Sequence, residues 1–315
     1  MSKIIILLFF HIFIFAMLVI DLGFFNKKAH KPSLKESVIW SIVWITCSLL
    51  FNAGIFYFQG NVKGMEFLTG YIVEKALSVD NIFVFVMVFT YFSVPMEYQH
   101  KVLFWGIIGA LLMRASFILL GTVLIKKFHF ILYIFGALLV YGGYKMMFHD
   151  DEQIDPGKNP FLKLCRKILP VTPNYSGSKF FIRDGLKLLA TPLLPVLVVI
   201  ETTDLLFAID SIPAVFAITQ DAFIVYTSNI FAVLGLRSLY FVLAGIIDKF
   251  VYLKYGLSIV LAFIGVKMLI IDIYKIPTSF SLMIVSILIA GSTVLSLFAK
   301  EEKLAVSPAT VRSEK

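Results

Sequence analysis

Residues 74–82 read EKALSVDNI and residues 204–212 read DLLFAIDSI, and each stretch lies within a long apolar segment. In both, two carboxylates stand six residues apart, a small polar residue follows the second carboxylate, and isoleucine comes next. A charged side chain at the centre of a bilayer costs roughly 2.5–3.5 kcal/mol on insertion scales. Acidic residues repeated in the same order at that depth indicate packed helices that share a polar interior.

The composition places these stretches in a membrane. The 315-residue chain is 59% apolar and 15% charged, whereas soluble domains average about 45–50% apolar and about 25% charged residues. An ordinary soluble enzyme and a disordered chain are excluded. We assign the net charge of +8 to loops on the cytoplasmic side rather than to nucleic-acid binding. The two cysteines form no CxxC motif, which argues against a disulfide framework or a thiolate metal site.

Apolar segments long enough to cross a bilayer predict an all-α polytopic membrane protein with about nine transmembrane helices. The first segment is interpreted as a retained helix rather than a signal peptide. With the N-terminus outside, eighteen basic residues fall on the inner side and five on the outer side, which predicts an outer N-terminus and a cytoplasmic C-terminus. The segments are residues 4–23, 38–58, 67–91, 102–125, 129–147, 188–217, 222–245, 251–272 and 279–299.

The two acidic stretches belong to a longer internal repeat. Arg114 and Arg237 follow one segment later, and Gly143 and Gly265 one segment after that. Each repeat holds three spans, so the second crosses the bilayer in the opposite direction, as in many secondary transporters. A single transmembrane domain, residues 1–300, is predicted to contain repeat one (about 66–147), a cytoplasmic linker (about 148–187) and repeat two (about 188–272), followed by a cytoplasmic tail (301–315).

Five carboxylates lie within the apolar spans, and Arg114 and Arg237 are their predicted ion-pair partners. Positions six apart lie about 120° apart on an uninterrupted helix, so the paired carboxylates converge better if each helix unwinds between them. Pro213 would leave the carbonyl of Ile209 free in the second stretch. We therefore expect a midplane site built on two broken helices.

Oxygen atoms dominate the predicted site. Carboxylates, amide and hydroxyl groups suit Mn²⁺, Mg²⁺ and Ca²⁺ better than Zn²⁺ or Cu⁺. The carboxylates could also carry protons in the opposite direction. The carboxylates are Glu74, Asp80, Glu201, Asp204 and Asp210, and further oxygens come from Ser78, Asn81, Thr202, Thr203 and Ser211.

Four stretches, residues 21–25, 67–85, 97–106 and 201–214, carry a family resemblance. Through them the chain resembles the TerC family of integral membrane proteins, which is associated with tellurium resistance and with bacterial manganese export. The resemblance implies a multi-pass protein of the bacterial inner membrane that exports Mn²⁺, with Ca²⁺ as another candidate and no permanently bound cofactor. The implied metal positions are Glu74, Asp80, Asn81, Glu201, Asp204, Asp210 and Ser211.

Other functions fit parts of the same pattern. Asp80 and Asp210 could form the dyad of an intramembrane aspartyl protease, but neither lies in a Gly-x-Gly-Asp motif, and the HExxH motif of metalloproteases is also missing. We therefore expect no enzymatic activity. A membrane scaffold for a stress-resistance complex, using residues 148–187, is the main alternative. A tellurite transporter is disfavoured because the acidic stretches would repel an oxyanion.

Overall fold

The computed structural model describes residues 3–23, 33–148, 157, 159–184, 187–244 and 252–305. Within these ranges a few side chains lie outside the description, among them those of Asp21 and Asp80. Most of the described chain is helical. The helices are α1 (Lys3–Gly23), α2 (Leu34–Gln59), α3 (Asn61–Tyr91), α4 (Met96–Lys127), α5 (Ile131–Phe148), α6 (Pro160–Ile168), α7 (Leu193–Phe216), α8 (Ala222–Leu234), α9 (Leu236–Leu243), α10 (Leu253–Leu269) and α11 (Thr278–Ala305).

Side-chain caps start some of these helices. The Ser33 hydroxyl accepts a hydrogen bond from the amide of Glu36 at 3.2 Å and begins α2. The Asp221 carboxylate accepts one from the amide of Phe223 at 3.0 Å and begins α8. Such caps satisfy amide groups that have no partner within the helix, so they fix the residue at which each helix begins.

Each predicted apolar segment contains a described helix, and five stretches among the described residues are long and apolar enough to cross a membrane by length and composition. They are Leu34–Gln59, Met96–Lys127, Ile131–Phe148, Ala222–Leu243 and Thr278–Ser296. The helices α3 and α7, with 31 and 24 residues, carry the acidic stretches. The count of nine crossings stays a prediction.

The predicted linker has structure of its own, and the all-α expectation is wrong there. Strands β1 (Phe181–Asp184) and β2 (Lys187–Ala190) form an antiparallel hairpin, and α6 precedes them. The sixth predicted span therefore begins at Leu193 rather than at residue 188, because a short apolar run does not by itself distinguish a strand from a helix. The predicted acidic cluster at residues 149–152 lies outside the described residues. At the other end, α11 continues to Ala305, so the predicted tail begins later than residue 301.

The helices α5 and α10 approach each other so closely that their backbones are nearly in contact. A Cβ atom added to Gly136 would lie 3.0 Å from the carbonyl oxygen of Gly265, and one added to Gly143 would lie 2.6 Å from the carbonyl oxygen of Ser258. Because the earlier glycine of α5 contacts the later residue of α10 and the later glycine contacts the earlier residue, the two helices are antiparallel. Small residues allow membrane helices to approach this closely. Elsewhere α3 packs against α8, and α4 packs against α7.

The helix break lies in a different span from the two that were predicted to be broken. Both α3 and α7 run without interruption through their acidic stretches, so the expectation of two broken helices at the carboxylates is wrong. Pro213 lies near the end of α7 and removes a single amide donor, which leaves the helix intact. The break falls instead at Gly235, between α8 and α9, where Lys75 Nζ donates to the carbonyl of Ala232 at 3.1 Å.

Candidate functional site

A buried arginine joins the two acidic helices. Arg114 on α4 is 1% exposed, and its Nε and Nη2 atoms each donate to a carboxylate oxygen of Asp204 at 3.1 Å. Its Nη1 atom donates to Oε1 of Glu74, which is equally buried. A guanidinium fork suits this paired geometry. Arg114 therefore brings α3 and α7 together without any unwinding of either helix.

Neutral polar side chains complete the cluster. The Asn81 amide donates to Asp204 Oδ1 at 3.3 Å. Arg114 Nη1 also lies 3.4 Å from Asn229 Oδ1 and 3.5 Å from the Ser211 hydroxyl. Asn229, which is fully buried on α8, is not among the residues predicted from the sequence. Its signal was the polar run of residues 227–229 inside an apolar span.

Three buried polar atoms beside this cluster have no hydrogen-bond partner within the described part of the chain. They are Glu74 Oε2, Ser78 Oγ and Asn229 Nδ2. A buried polar atom without a partner costs about 1–3 kcal/mol, and native proteins satisfy nearly all such groups with protein, water or a ligand. The second oxygen of Glu74 is thus available to a bound water or cation.

A small cavity lies where these groups meet. Its volume is about 20 Å³, and its polar lining comes from Glu74, Asn81, Arg114, Asp210 and Ser211. Roughly 10–15 Å³ is enough for one water molecule, so the space fits a single water or an unhydrated ion. A ligand there would meet two carboxylates, an amide, a hydroxyl group and the guanidinium of Arg114.

Asp210 enters the cavity from α7 and faces α5. A Cβ atom added to Gly142 would lie 3.6 Å from Asp210 Oδ1, which is an ordinary van der Waals distance, so the carboxylate packs against α5 at this position. Glu201, nearly one turn before Asp204, lies in contact with Gly109 on α4. Glu201 is therefore beside the cluster but does not line the cavity.

The structure thus brings together most of the residues predicted as metal ligands. Glu74, Asn81, Asp204, Asp210 and Ser211 lie around Arg114, whereas the side chain of Asp80 is outside the description. Arg237 shares a second small cavity with Asp204. No group of three or more histidine, cysteine or acidic side chains close enough to hold a metal ion occurs among the described residues. The arginine occupies the position between Glu74 and Asp204.

A second, unpredicted ion-pair network ties the start of α3 to the start of α8. Lys63 Nζ lies 2.8 Å from Glu66 and 3.5 Å from Asp221, and Thr219 donates to Glu66 at 2.6 Å. Partial burial lowers the pKa of Lys63, but the carboxylates of Glu66 and Asp221 outweigh it, so the pKa is raised overall. The network holds the connection between α7 and α8 against α3.

Comparisons with known proteins agree on one family. The profile described as "Integral membrane protein TerC family" matches residues 59–304. The chain is 48% identical over 285 residues to "Uncharacterized membrane protein STKORF319" of Myxococcus xanthus. That alignment covers 90% of this chain and 89% of the relative. It is 46% identical over 285 residues to "Putative membrane-bound redox modulator Alx" of Escherichia coli K12, in an alignment that covers 88% of this chain and 89% of the relative.

The relative of the same name from Photorhabdus laumondii is 43% identical over 303 residues, covering 93% of this chain and 95% of the relative. The similarity therefore extends over almost the whole length of both chains. No solved structure matches the chain.

Proposed function

The chain belongs to the TerC family of multi-pass integral membrane proteins, and from this premise we propose that it transports divalent cations, with export of Mn²⁺ as the leading candidate activity. The observation that carries the proposal is the cavity of about 20 Å³ between α3 and α7. Its wall includes a Glu74 oxygen without a hydrogen-bond partner among the described residues. A cation bound there would supply that partner.

The chemistry of the cavity favours Mn²⁺ among hard divalent cations. Carboxylate, amide and hydroxyl oxygens suit Mn²⁺, Mg²⁺ and Ca²⁺. Met146 on α5 also lines the cavity. A thioether is a soft ligand that Mg²⁺ and Ca²⁺, which take oxygen ligands, do not use, and Mn²⁺ is the transition-metal ion among the three candidates. A Met146→Leu variant should therefore lose preference for Mn²⁺ over Ca²⁺ while it still moves both ions.

The helix packing supports an inverted repeat around this site. Under the alignment that matches Gly143 with Gly265, Gly136 matches Ser258, so the contact of Gly136 with Gly265 and that of Gly143 with Ser258 exchange. The pairing of α3 with α8 likewise exchanges with that of α4 with α7. Alternating access around a midplane site follows from such symmetry. The proposal includes an outer N-terminus, a cytoplasmic C-terminus and the bacterial inner membrane as location.

Metal tolerance in cells tests the proposal. Wild type, Asp210→Asn and Asp80→Asn would be expressed in a bacterial strain that is sensitive to manganese, with growth and cell-associated Mn measured in excess Mn²⁺. Asp184→Asn, an exposed carboxylate on β1, serves as the matched control. We expect the wild type and the control to lower cellular Mn and both site variants to lose this effect. Export that survives both site substitutions would exclude the proposed site.

Flux into proteoliposomes identifies which cation is transported and whether protons are the coupling ion. The purified protein would be reconstituted, and uptake of Mn²⁺, Ca²⁺ and Mg²⁺ compared with and without an imposed pH gradient. Proton antiport predicts Mn²⁺ movement that depends on the direction of the gradient. Equal flux with and without the protein would exclude transport. A chain with the five carboxylates of its apolar spans neutralised that still confers tellurium resistance would favour the scaffold instead.

The name of the curated relatives raises a redox role as the second candidate. In this chain the cysteines are Cys47 on α2 and Cys165 on α6, and neither forms a disulfide within the described part of the chain. A thiol-based role would need at least one of them. The variant with both changed to serine should keep its Mn²⁺ tolerance if transport is the function, and lose its cellular effect if thiol chemistry is.

A further inference from the structure

A second polar cavity lies away from the cation site, between the starts of α2 and α4 and the short helix α9. It has a volume of about 20 Å³, which again is room for one water molecule. The polar side chains in its wall are Glu36, Ser37, His100, Arg237 and Ser238. A carboxylate, an imidazole and a guanidinium thus surround one water-sized space.

The histidine in this wall is held inside the fold. His100 is 7% exposed and Arg237 is 6% exposed. Glu36 from α2 and Arg237 from α9 are the charged groups that line the cavity with His100. On α4 itself, Glu97 is exposed one turn earlier, and the Lys101 ammonium lies 5.6 Å from the ring centre of Phe180. Histidine is the side chain whose ordinary pKa lies nearest to physiological pH.

Arg237 connects this cavity with the cation site. It also lines a space of about 10 Å³ whose wall includes Asp204, the residue that Arg114 binds with two hydrogen bonds. Apolar side chains such as Leu103 and Val233 make up most of that wall. The space is at the lower limit for one water molecule, so the polar route is interrupted by an apolar constriction in this conformation.

We propose that the cavity between Glu36 and His100 is a proton-binding site that is coupled to Asp204 through Arg237. A proton that binds the imidazole makes the cavity more positive and repels Arg237 toward Asp204. Arg237 then competes with Arg114 for Asp204 and weakens the hold of Arg114 on the cation site. Coupling of this kind is reciprocal: a cation that displaces Arg114 changes the charge around Arg237 and, through it, proton binding at His100.

This inference names the counter-ion of the proposed transporter, and in that respect it rests on the proposed function. The predicted topology places the starts of α2 and α4 on the cytoplasmic side. The site would then exchange protons with the cytoplasm, through a single water in the cavity. Its position on α4, well away from the acidic stretches, separates proton binding from cation binding.

The first experiment measures proton binding at His100 without any transport. The full-length protein, labelled on histidine and held in lipid nanodiscs, would be titrated by NMR, and the His100 signal assigned by its loss in His100→Gln. We expect Asp204→Asn to lower the titration midpoint by about half a pH unit or more, because the removed negative charge leaves Arg237 free to face the imidazole. Arg237→Gln should raise the midpoint, because the removed positive charge no longer opposes protonation of the imidazole.

The matched control is Glu66→Gln, which removes a carboxylate at the other end of the fold and should leave the midpoint unchanged. Arg237→Gln keeps the test informative if Asp204→Asn does not fold. A His100 midpoint that responds to neither Asp204→Asn nor Arg237→Gln, or a His100 signal that does not titrate between pH 5 and 9, would overturn the proposal.

The second experiment measures Mn²⁺ flux into proteoliposomes as a function of pH. A transport step linked to one proton changes by up to about tenfold per pH unit, and His100→Gln should flatten this dependence, whereas the exposed Glu97→Gln should retain it. A wild-type pH profile in His100→Gln would refute the proton site. If no form of the protein moves Mn²⁺ but the His100 midpoint responds to Asp204→Asn, the proposed function fails and the proton site stands.

Discussion

Replacement of Arg114 by glutamine would leave two buried carboxylates without their cation. Arg114 makes two 3.1 Å hydrogen bonds to Asp204 and one to Glu74, and the three side chains are at most 4% exposed. Loss of one partner of a buried ion pair costs about 3–5 kcal/mol. Protonation of one carboxylate at pH 7, from an ordinary pKa of about 4, costs about 4 kcal/mol. The two routes give the same magnitude, so we expect Arg114→Gln to lower the free energy of unfolding by about 3–5 kcal/mol.

Thermal and chemical unfolding of the purified protein in detergent, followed by tryptophan fluorescence, measures this loss. The exposed Arg183→Gln on β1 is the control and should change stability by less than about 0.5 kcal/mol. The loss should shrink as the pH falls toward 5, because protonation then neutralises the stranded carboxylates at less cost. Combining Arg114→Gln with Glu74→Gln and Asp204→Asn should recover most of the loss. A single variant that loses less than about 1 kcal/mol, or a triple variant no more stable than the single, would refute the reasoning.

Two further predictions concern the packing of the helices. Gly143→Ala should destabilise the protein by about 1–3 kcal/mol through overpacking, because its Cβ atom would lie 2.6 Å from the carbonyl oxygen of Ser258. Gly54→Ala, whose Cβ atom would have nothing within 4 Å, should leave the stability unchanged. Unfolding of both variants in detergent measures the difference, and equal effects would contradict the close helix contact. Lys75→Met should lower stability by about 1–3 kcal/mol, since the carbonyl of Ala232 loses its hydrogen-bond donor. It should also speed amide hydrogen exchange at the break between α8 and α9. Unchanged exchange there would show that the lysine does not stabilise the break.

The sequence alone was sufficient for the class of protein and for the charged residues of the buried cluster. Membrane insertion makes buried charge costly, so Glu74 and Asp204 stand out against apolar neighbours, and Arg114 follows as the cation that can reach them. Asn229 was missed because a short polar run in an apolar span resembles any set of packed polar residues until its partner is known. The side chain of Asp80 is outside the description, so its predicted role stays a prediction.

The errors concern interactions between distant parts of the chain. The paired carboxylates suggested unwound helices because their spacing on one helix was considered alone. In the fold, the long side chain of Arg114 reaches both α3 and α7 from a third helix, so neither needs to unwind. The actual break at Gly235 is occupied by Lys75 from a segment far away in sequence. The missed hairpin of β1 and β2 is a local error: the apolar run of β2, residues 188–190, is so short that it fits a strand and a helix equally well.

The position of Arg114 between two carboxylates has a consequence for affinity. Any cation that binds both Glu74 and Asp204 must first displace a guanidinium carried by the same chain, which is present at the site at a high effective concentration. Arg114 is in this sense a tethered competitor. The apparent affinity is the intrinsic affinity of the oxygens reduced by the strength of the arginine contacts. Such a site fills only when the free cation concentration is high, so the arginine sets a threshold below which the oxygens stay occupied by the protein itself.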